Sequence, residues 1–195
     1  MLTEKIKSEK DSLELELCIT LPEDAPKAII QFSHGMAEHK ERYLDFMNFL
    51  SSKGYICVIH DHRGHGASVK SRDDLGYFYS EDINYIVDDL YQVTKFIKEK
   101  YPNLKVYLFS HSMGTLVARN YLKKYDGEIE KLVLCGPPTE NKFSGFGVFM
   151  AKTMKPFYSK NKPNKALNKM TFKSYNKNLK LENEWICANP ETVKK

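Results

Sequence analysis

Short apolar runs alternate with segments of helical periodicity along the first 140 residues, and this alternation leaves few folds open. The runs are AIIQF (28–32), YICVI (55–59), VYLF (106–109) and LVLC (132–135). Each is too short for a helix and rich in β-branched or aromatic residues, so each reads as a strand covered on both faces. Between them, Tyr43, Phe46, Met47 and Leu50 recur at i, i+3, i+4 and i+7, a helix closed by Gly54. Ile83, Ile86, Val87, Leu90 and Ile97 mark a longer helix, with Ser80 as its N-cap, Glu81 and Asp82 in its first turn, and Pro102 as its stop. Leu116, Val117 and Tyr121 mark a third. Ahead of these, Leu13, Leu15, Leu17 and Ile19 alternate with Glu14, Glu16 and Cys18, a half-buried strand at a sheet edge or in a hairpin. The order predicts an α/β fold with a mainly parallel sheet. Ligands of such sheets bind beyond the carboxyl ends of the strands, which directs attention to the loops after residues 32, 59, 109 and 135.

The rest of the chain differs in composition. Residues 141–195 hold twelve Lys, no Arg and three Glu, a net +9, which leaves −4 on the first 140 residues of a chain whose formal total is +5. The organisation expected is therefore a core over 1–140 and a distinct basic segment over 141–195. That segment can attract an anionic lipid surface or phosphate groups, although the plainer reading is a solvated Lys/Asn-rich face. Without arginine or a recognition motif, it gives no reason to expect nucleic acid as a partner. The 195 residues suffice for one domain with a proper core. No run of eighteen apolar residues is present, and MLTEKIKSEKD (1–11) has no apolar stretch of the secretory kind. Cys18, Cys57, Cys135 and Cys187 lack metal-ligand spacing and read as buried, reduced thiols of a cytoplasmic protein.

Three of the four loops carry chemistry. SHSMG (110–114) sets Ser112 between a strand and a helix, with small residues two positions to either side. This is the spacing of a nucleophile elbow, in which a tight turn forces the serine into a strained backbone conformation and lifts its hydroxyl clear of the sheet. Ser110 stands where glycine is usual and leaves less room. The plainer alternative is that Ser112 only caps the helix. In SHGMAEH (33–39), the His34-Gly35 pair turns the backbone sharply and aims an amide inward, with His34 orienting the loop by hydrogen bonding. HDHRGHGAS (60–68) gathers three His and an Asp, yet it lacks helical ligand spacing. Its glycines and Arg63 favour a hydrogen-bonded turn over a metal site.

HGMAEHKERY (34–43), DHRGHGAS (61–68) and SHSMGT (110–115) together resemble the α/β-hydrolase superfamily, nearest to its monoacylglycerol lipase and lysophospholipase-like branch with a serine-aminopeptidase-like domain. The resemblance implies an α/β-hydrolase fold with 141–195 as the start of a cap. It implies Ser112 as nucleophile, the amides of Met36 and Met113 as oxyanion hole, and Gly114 beside His34 and Gly35 as loop-shaping residues. It implies acyl esters of glycerol or lysophospholipids as substrates, no cofactor and no metal. Peptidases acting on N-terminal residues belong to the wider group. The triad order in this fold is Ser, acid, His. All six histidines here precede Ser112, and past Glu140 the only acids are Glu182, Glu184 and Glu191. The expectation is a chain that lacks the last strands of the fold: a C-terminally truncated enzyme, a half completed by a second polypeptide, or a non-catalytic relative.

Overall fold

A computed structural model describes residues 1–139, within the first of the two units into which the chain divides, Met1–Asn141 and Lys142–Lys195. The expected cap, Cys187 and the three late glutamates lie outside the described residues. Six strands of the described residues form one sheet: β1 (Leu2–Lys7), β2 (Glu14–Thr20), β3 (Ala28–Ser33), β4 (Tyr55–His60), β5 (Val106–His111) and β6 (Lys131–Cys135). Their order is β1-β2-β4-β3-β5-β6. β3 runs parallel to β4 and β5, and β5 parallel to β6, while β1 and β2 form an antiparallel hairpin whose second strand pairs with β4. The sheet is thus mainly parallel, as the alternation implies.

Among the described residues three α-helices cover it: α1 (Leu44–Ser52), α2 (Asn84–Lys100) and α3 (Met113–Tyr125). Leu15, Leu17 and Ile19 of β2 pack with Ile29, Ile56 and Val58 against Val93 and Ile97 of α2. Ile86 and Leu90 of α2 continue this layer onto Leu108, Val117 and Tyr121. A separate cluster joins Cys18, Phe32, Cys57 and Ile59 to Tyr43 and Met47 beside α1. Each fully buried aliphatic side chain contributes roughly 1.5–3 kcal/mol. A polar thread crosses the first layer: Gln31, fully buried in β3, donates to the Leu90 carbonyl at 2.8 Å and accepts from Thr94 Oγ1 at 2.8 Å.

Four details depart from the sequence reading. β1 has no counterpart in it, because only Leu2 and Ile6 carry the apolar signal among six residues, and its exposed lysines suit an edge strand. Of the two places expected for β2, the hairpin is the one found and the sheet edge is not, and the strand is buried on both faces along its second half, with Cys18 a buried thiol as expected. Helix α2 begins at Asn84, and Ser80 caps nothing in it. Ser80 Oγ instead accepts from the Asp82 amide at 2.9 Å, and Asp82 in turn accepts from the Asn84 amide at 2.9 Å. Finally, β6 is not the buried strand expected: paired on one side only, it leaves Val133 and Cys135 exposed among the described residues.

Candidate active site

Strand β5 ends at His111 and helix α3 begins at Met113, so a single residue, Ser112, makes the whole turn, with φ 49° and ψ −118°. Such a conformation costs a non-glycine residue about 1–3 kcal/mol and persists only where its surroundings enforce it. Here they do. The Ser112 amide donates to the Cys135 carbonyl at 3.0 Å, and the Ser112 carbonyl accepts from the amide and hydroxyl of Thr115 at 2.9 and 2.7 Å. The side chain makes no helix-capping bond and is partly exposed, so capping is not what Ser112 does. Gly114 faces β3 so closely that a Cβ there would stand 2.1 Å from the Ser33 carbonyl oxygen. Ser110 fits because its hydroxyl has a use: fully buried, it donates to the Val133 carbonyl at 3.0 Å.

The loop after β3 comes to the same place. A Cβ on Gly35 would lie 3.1 Å from Ser112 Cβ, so the absence of a side chain is what lets the loop approach the elbow. Met36 follows with 53% exposure, then Ala37 at φ 58°. Among the described residues, neither the Met36 nor the Met113 amide has a hydrogen-bond acceptor. The structure thus brings Gly35, Met36, Ser112, Met113 and Gly114 together at the carboxyl ends of β3 and β5.

His34 is fully buried and shapes the loop. Its Nε2 accepts from the His62 amide at 2.9 Å, which puts the ring proton on Nδ1, donated to the Gly35 carbonyl at 2.7 Å. Only a neutral ring makes both bonds. Burial, opposed in part by the bond to Gly35, lowers its pKa from 6.5 to about 4.

The 60–68 loop is scaffolding. Asp61, fully buried, accepts from the amide and ammonium of Lys40 at 2.7 and 2.8 Å and from the Ala67 amide at 2.8 Å. Any Cβ on Gly66 would sit 2.2 Å from that carboxylate. Arg63, 1% exposed, donates to Asp89 of α2 at 2.7 Å, to Asp11 in the β1–β2 turn at 3.1 Å and to the Phe78 carbonyl at 2.9 Å. The hydrogen-bonded turn is what the glycines and Arg63 lead one to expect. No metal-holding group of His, Cys, Asp or Glu occurs among the described residues.

Sequence reasoning passed over Glu38. Its Oε2 accepts from the Gly35 amide at 2.7 Å, Tyr43 hydroxyl at 2.8 Å and His111 Nδ1 at 3.1 Å, while Arg42 lies 3.2 Å from Oε1. Burial alone would push this carboxyl up. The bonds from Tyr43, Gly35 and His111 outweigh it and hold the group below the usual carboxylate range. The available signal was an acid followed at four and five positions by Arg42 and Tyr43, directly behind a strand end.

The family model described as serine aminopeptidase, S33, matches residues 24–195. Human monoglyceride lipase is 34% identical over 116 residues, which are 60% of this chain and 37% of that protein. A probable lysophospholipase L2 of Haemophilus influenzae is 29% identical over 116 residues, 60% of this chain and 36% of its own. The chain thus spans a little over a third of the length of these curated relatives. A thermostable carboxyl esterase from Bacillus coagulans, solved with glycerol, superposes with a TM-score of 0.86 at 23% identity, over 99% of this chain and 63% of that one.

Proposed function

The chain belongs to the serine aminopeptidase S33 family and has the α/β-hydrolase fold, and from that premise we propose that it is a serine ester hydrolase of the monoglyceride lipase and lysophospholipase type. Ser112 is the nucleophile. Its Oγ gives up a proton to a general base and bonds to the ester carbonyl carbon. The carbonyl oxygen takes the negative charge and is held by the amides of Met36 and Met113. Collapse expels the alcohol with a proton, and water then releases the fatty acid and restores the hydroxyl. Lipid-like acyl esters are the substrate class, in keeping with what the named relatives act on. The net +9 of residues 141–195 suits an anionic lipid interface as the source of such esters.

The observation that carries this reading is Ser112 at φ 49° between β5 and α3, with the glycine of a second loop against its Cβ. All six histidines precede Ser112, so none stands after the nucleophile, where the triad order of this fold puts the base, and in this reading a complementing segment supplies it. The same fact favours one second reading, a binding module that holds acyl esters without turning them over.

A fluorophosphonate probe tests the first. It should label the protein, alone or with the complementing segment, and Ser112→Ala should lose the label. Absence of labelling in both settings, with long-chain monoacylglycerol still bound, would establish the second. Comparing turnover of monoacylglycerols, lysophospholipids and aminoacyl-arylamides then separates ester from peptide chemistry. Preference for the arylamides would overturn the lipase reading.

A further inference from the structure

We propose that Glu38 is a positioning residue that registers the oxyanion loop against the nucleophile elbow. This rests on the reading of Ser112 as nucleophile. One oxygen of Glu38, Oε2, holds both parts: the Gly35 amide, one residue before Met36, and His111 Nδ1, one residue before Ser112. The two loops are distant in sequence, and this carboxylate ties them at the level of the catalytic atoms. Ser33 makes a second link lower down, from its hydroxyl to the Gly114 carbonyl at 3.4 Å.

The chemistry requires an anion. Oε2 receives three donors at once, from Gly35, Tyr43 and His111, which a carboxylate oxygen bearing a full share of charge can satisfy. Glu38 holds the peptide plane between His34 and Gly35 through the Gly35 N–H, and the next plane, which carries the Met36 amide, is held by its carbonyl, Gly35 O, accepting from His34 Nδ1 at 2.7 Å; the Met36 amide has no acceptor among the described residues. Glu38 touches no reacting atom in this arrangement. It fixes where one oxyanion donor sits relative to Ser112, and displacement of such a donor is expensive because the hole acts by geometry set in advance. Ala37 is held at φ 58° by the same loop, a strained conformation that a loosened loop would relax.

The test compares Glu38→Gln and Tyr43→Phe with Glu41→Gln, in the full chain. Glu41 lies on the same segment but pairs with Lys40 and His39, away from the elbow. Fluorophosphonate labelling is resolved into the maximal rate kinact and the half-saturation constant KI. Exchange of the Gly35 amide is followed by NMR. Glu38→Gln should lower kinact about tenfold with KI within about twofold, a fraction of the loss seen when an oxyanion donor is removed outright. The Gly35 amide should exchange at least about tenfold faster, since a charge-assisted bond has become a neutral one. Tyr43→Phe, which removes one donor and leaves the loop sequence alone, should move both readouts in the same direction, so the idea remains testable if Glu38→Gln does not fold. Glu41→Gln should move neither. Unchanged kinact in Glu38→Gln and Tyr43→Phe while the wild type labels at Ser112 would overturn the proposal and leave the nucleophile standing. A parallel change of kinact and KI that tracks loss of folded protein would also overturn it. If the wild type fails to label both alone and with the complementing segment, the nucleophile reading falls, and unchanged Gly35 exchange would remove the role of Glu38 as well.

Discussion

Ser112 is held at positive φ by neighbours that leave no other path, and those neighbours make the sharpest residue-scale prediction. Gly114 lies against the Ser33 and His34 carbonyls, 2.1 and 2.7 Å from where a Cβ would be, and backbone atoms of a central strand do not step aside. Gly114→Ala should therefore destabilise the protein by more than about 3 kcal/mol or open the elbow. Urea unfolding and probe labelling, measured together, distinguish the two outcomes. Retention of both stability and labelling would show that α3 approaches β3 less closely than described. Gly66→Ala should be comparably severe, because the new Cβ would meet the Asp61 carboxylate, and moving that carboxylate breaks its bonds to Lys40 and Ala67. The cost should appear in stability and not first in labelling.

At the scale of elements, Arg63 joins parts of the chain that share no sheet ladder with its own loop. Its guanidinium reaches the β1–β2 turn at Asp11, the following segment at Phe78 and helix α2 at Asp89. Asp89 is 1% exposed and also accepts from Ser8 at 2.6 Å. Arg63→Met would leave a buried carboxylate without its cation, and this should cost about 3–5 kcal/mol. Replacing the pair, Arg63→Met with Asp89→Leu, should recover much of the loss, since well-packed apolar groups often equal a buried ion pair. Denaturation midpoints of the single and double variants measure this. A double variant no more stable than Arg63→Met alone would mean that the bonds to Asp11 and Phe78 matter more than the pair. The hairpin is the element most exposed to such a change, because β1 adds an edge strand joined to the sheet through β2 alone.

For the molecule as a whole, the buried imidazoles set the response to acid. His34, His60 and His62 are fully buried, with ring centroids 4.4 Å apart for His34 and His62 and 4.7 Å for His60 and His62. Burial lowers His60 from 6.5 to about 3, with the neighbouring His34 and Arg63 adding to the effect, and lowers His62 well below its ordinary value. Folded values depressed below 6.5 mean that the folded state refuses protons the unfolded chain accepts. Above that pH these groups add no pH dependence. As pH falls below it, stability should drop, by about 1.4 kcal/mol per unit for each histidine, until the folded values near 3 and 4 are reached. These three groups together lose about 4 kcal/mol across one unit near pH 5, a large part of a typical domain's total, and His65, also buried and lowered by that burial, adds to the loss. Carboxylates held low, such as Glu41 at about 2, should contribute only at more acid pH. Urea midpoints between pH 7 and 4 read the slope directly. Neither ring nitrogen of His60 has a partner among the described residues, so His60→Leu should reduce the slope by about a quarter and raise stability near pH 5. An unchanged slope would place the acid sensitivity elsewhere.

Local pattern was enough for the frame. Period-two and helical spacing of apolar residues fix elements of four to seventeen residues, so four central strands, three helices and the loops that matter could be read directly, as could the strained turn at Ser112 from its small neighbours. What needed the folded chain is whatever depends on contacts distant in sequence. β1 is a strand because β2 offers it a ladder, not because LTEKIK has a strong pattern of its own. Whether an apolar run is buried depends on how many neighbours it finds, which is why β6 and Cys135 came out exposed. Glu38 meets His111 across 73 positions of sequence, and no periodicity records a bond of that kind. Its geometry exists only once two loops from separate strands stand side by side at the end of the sheet.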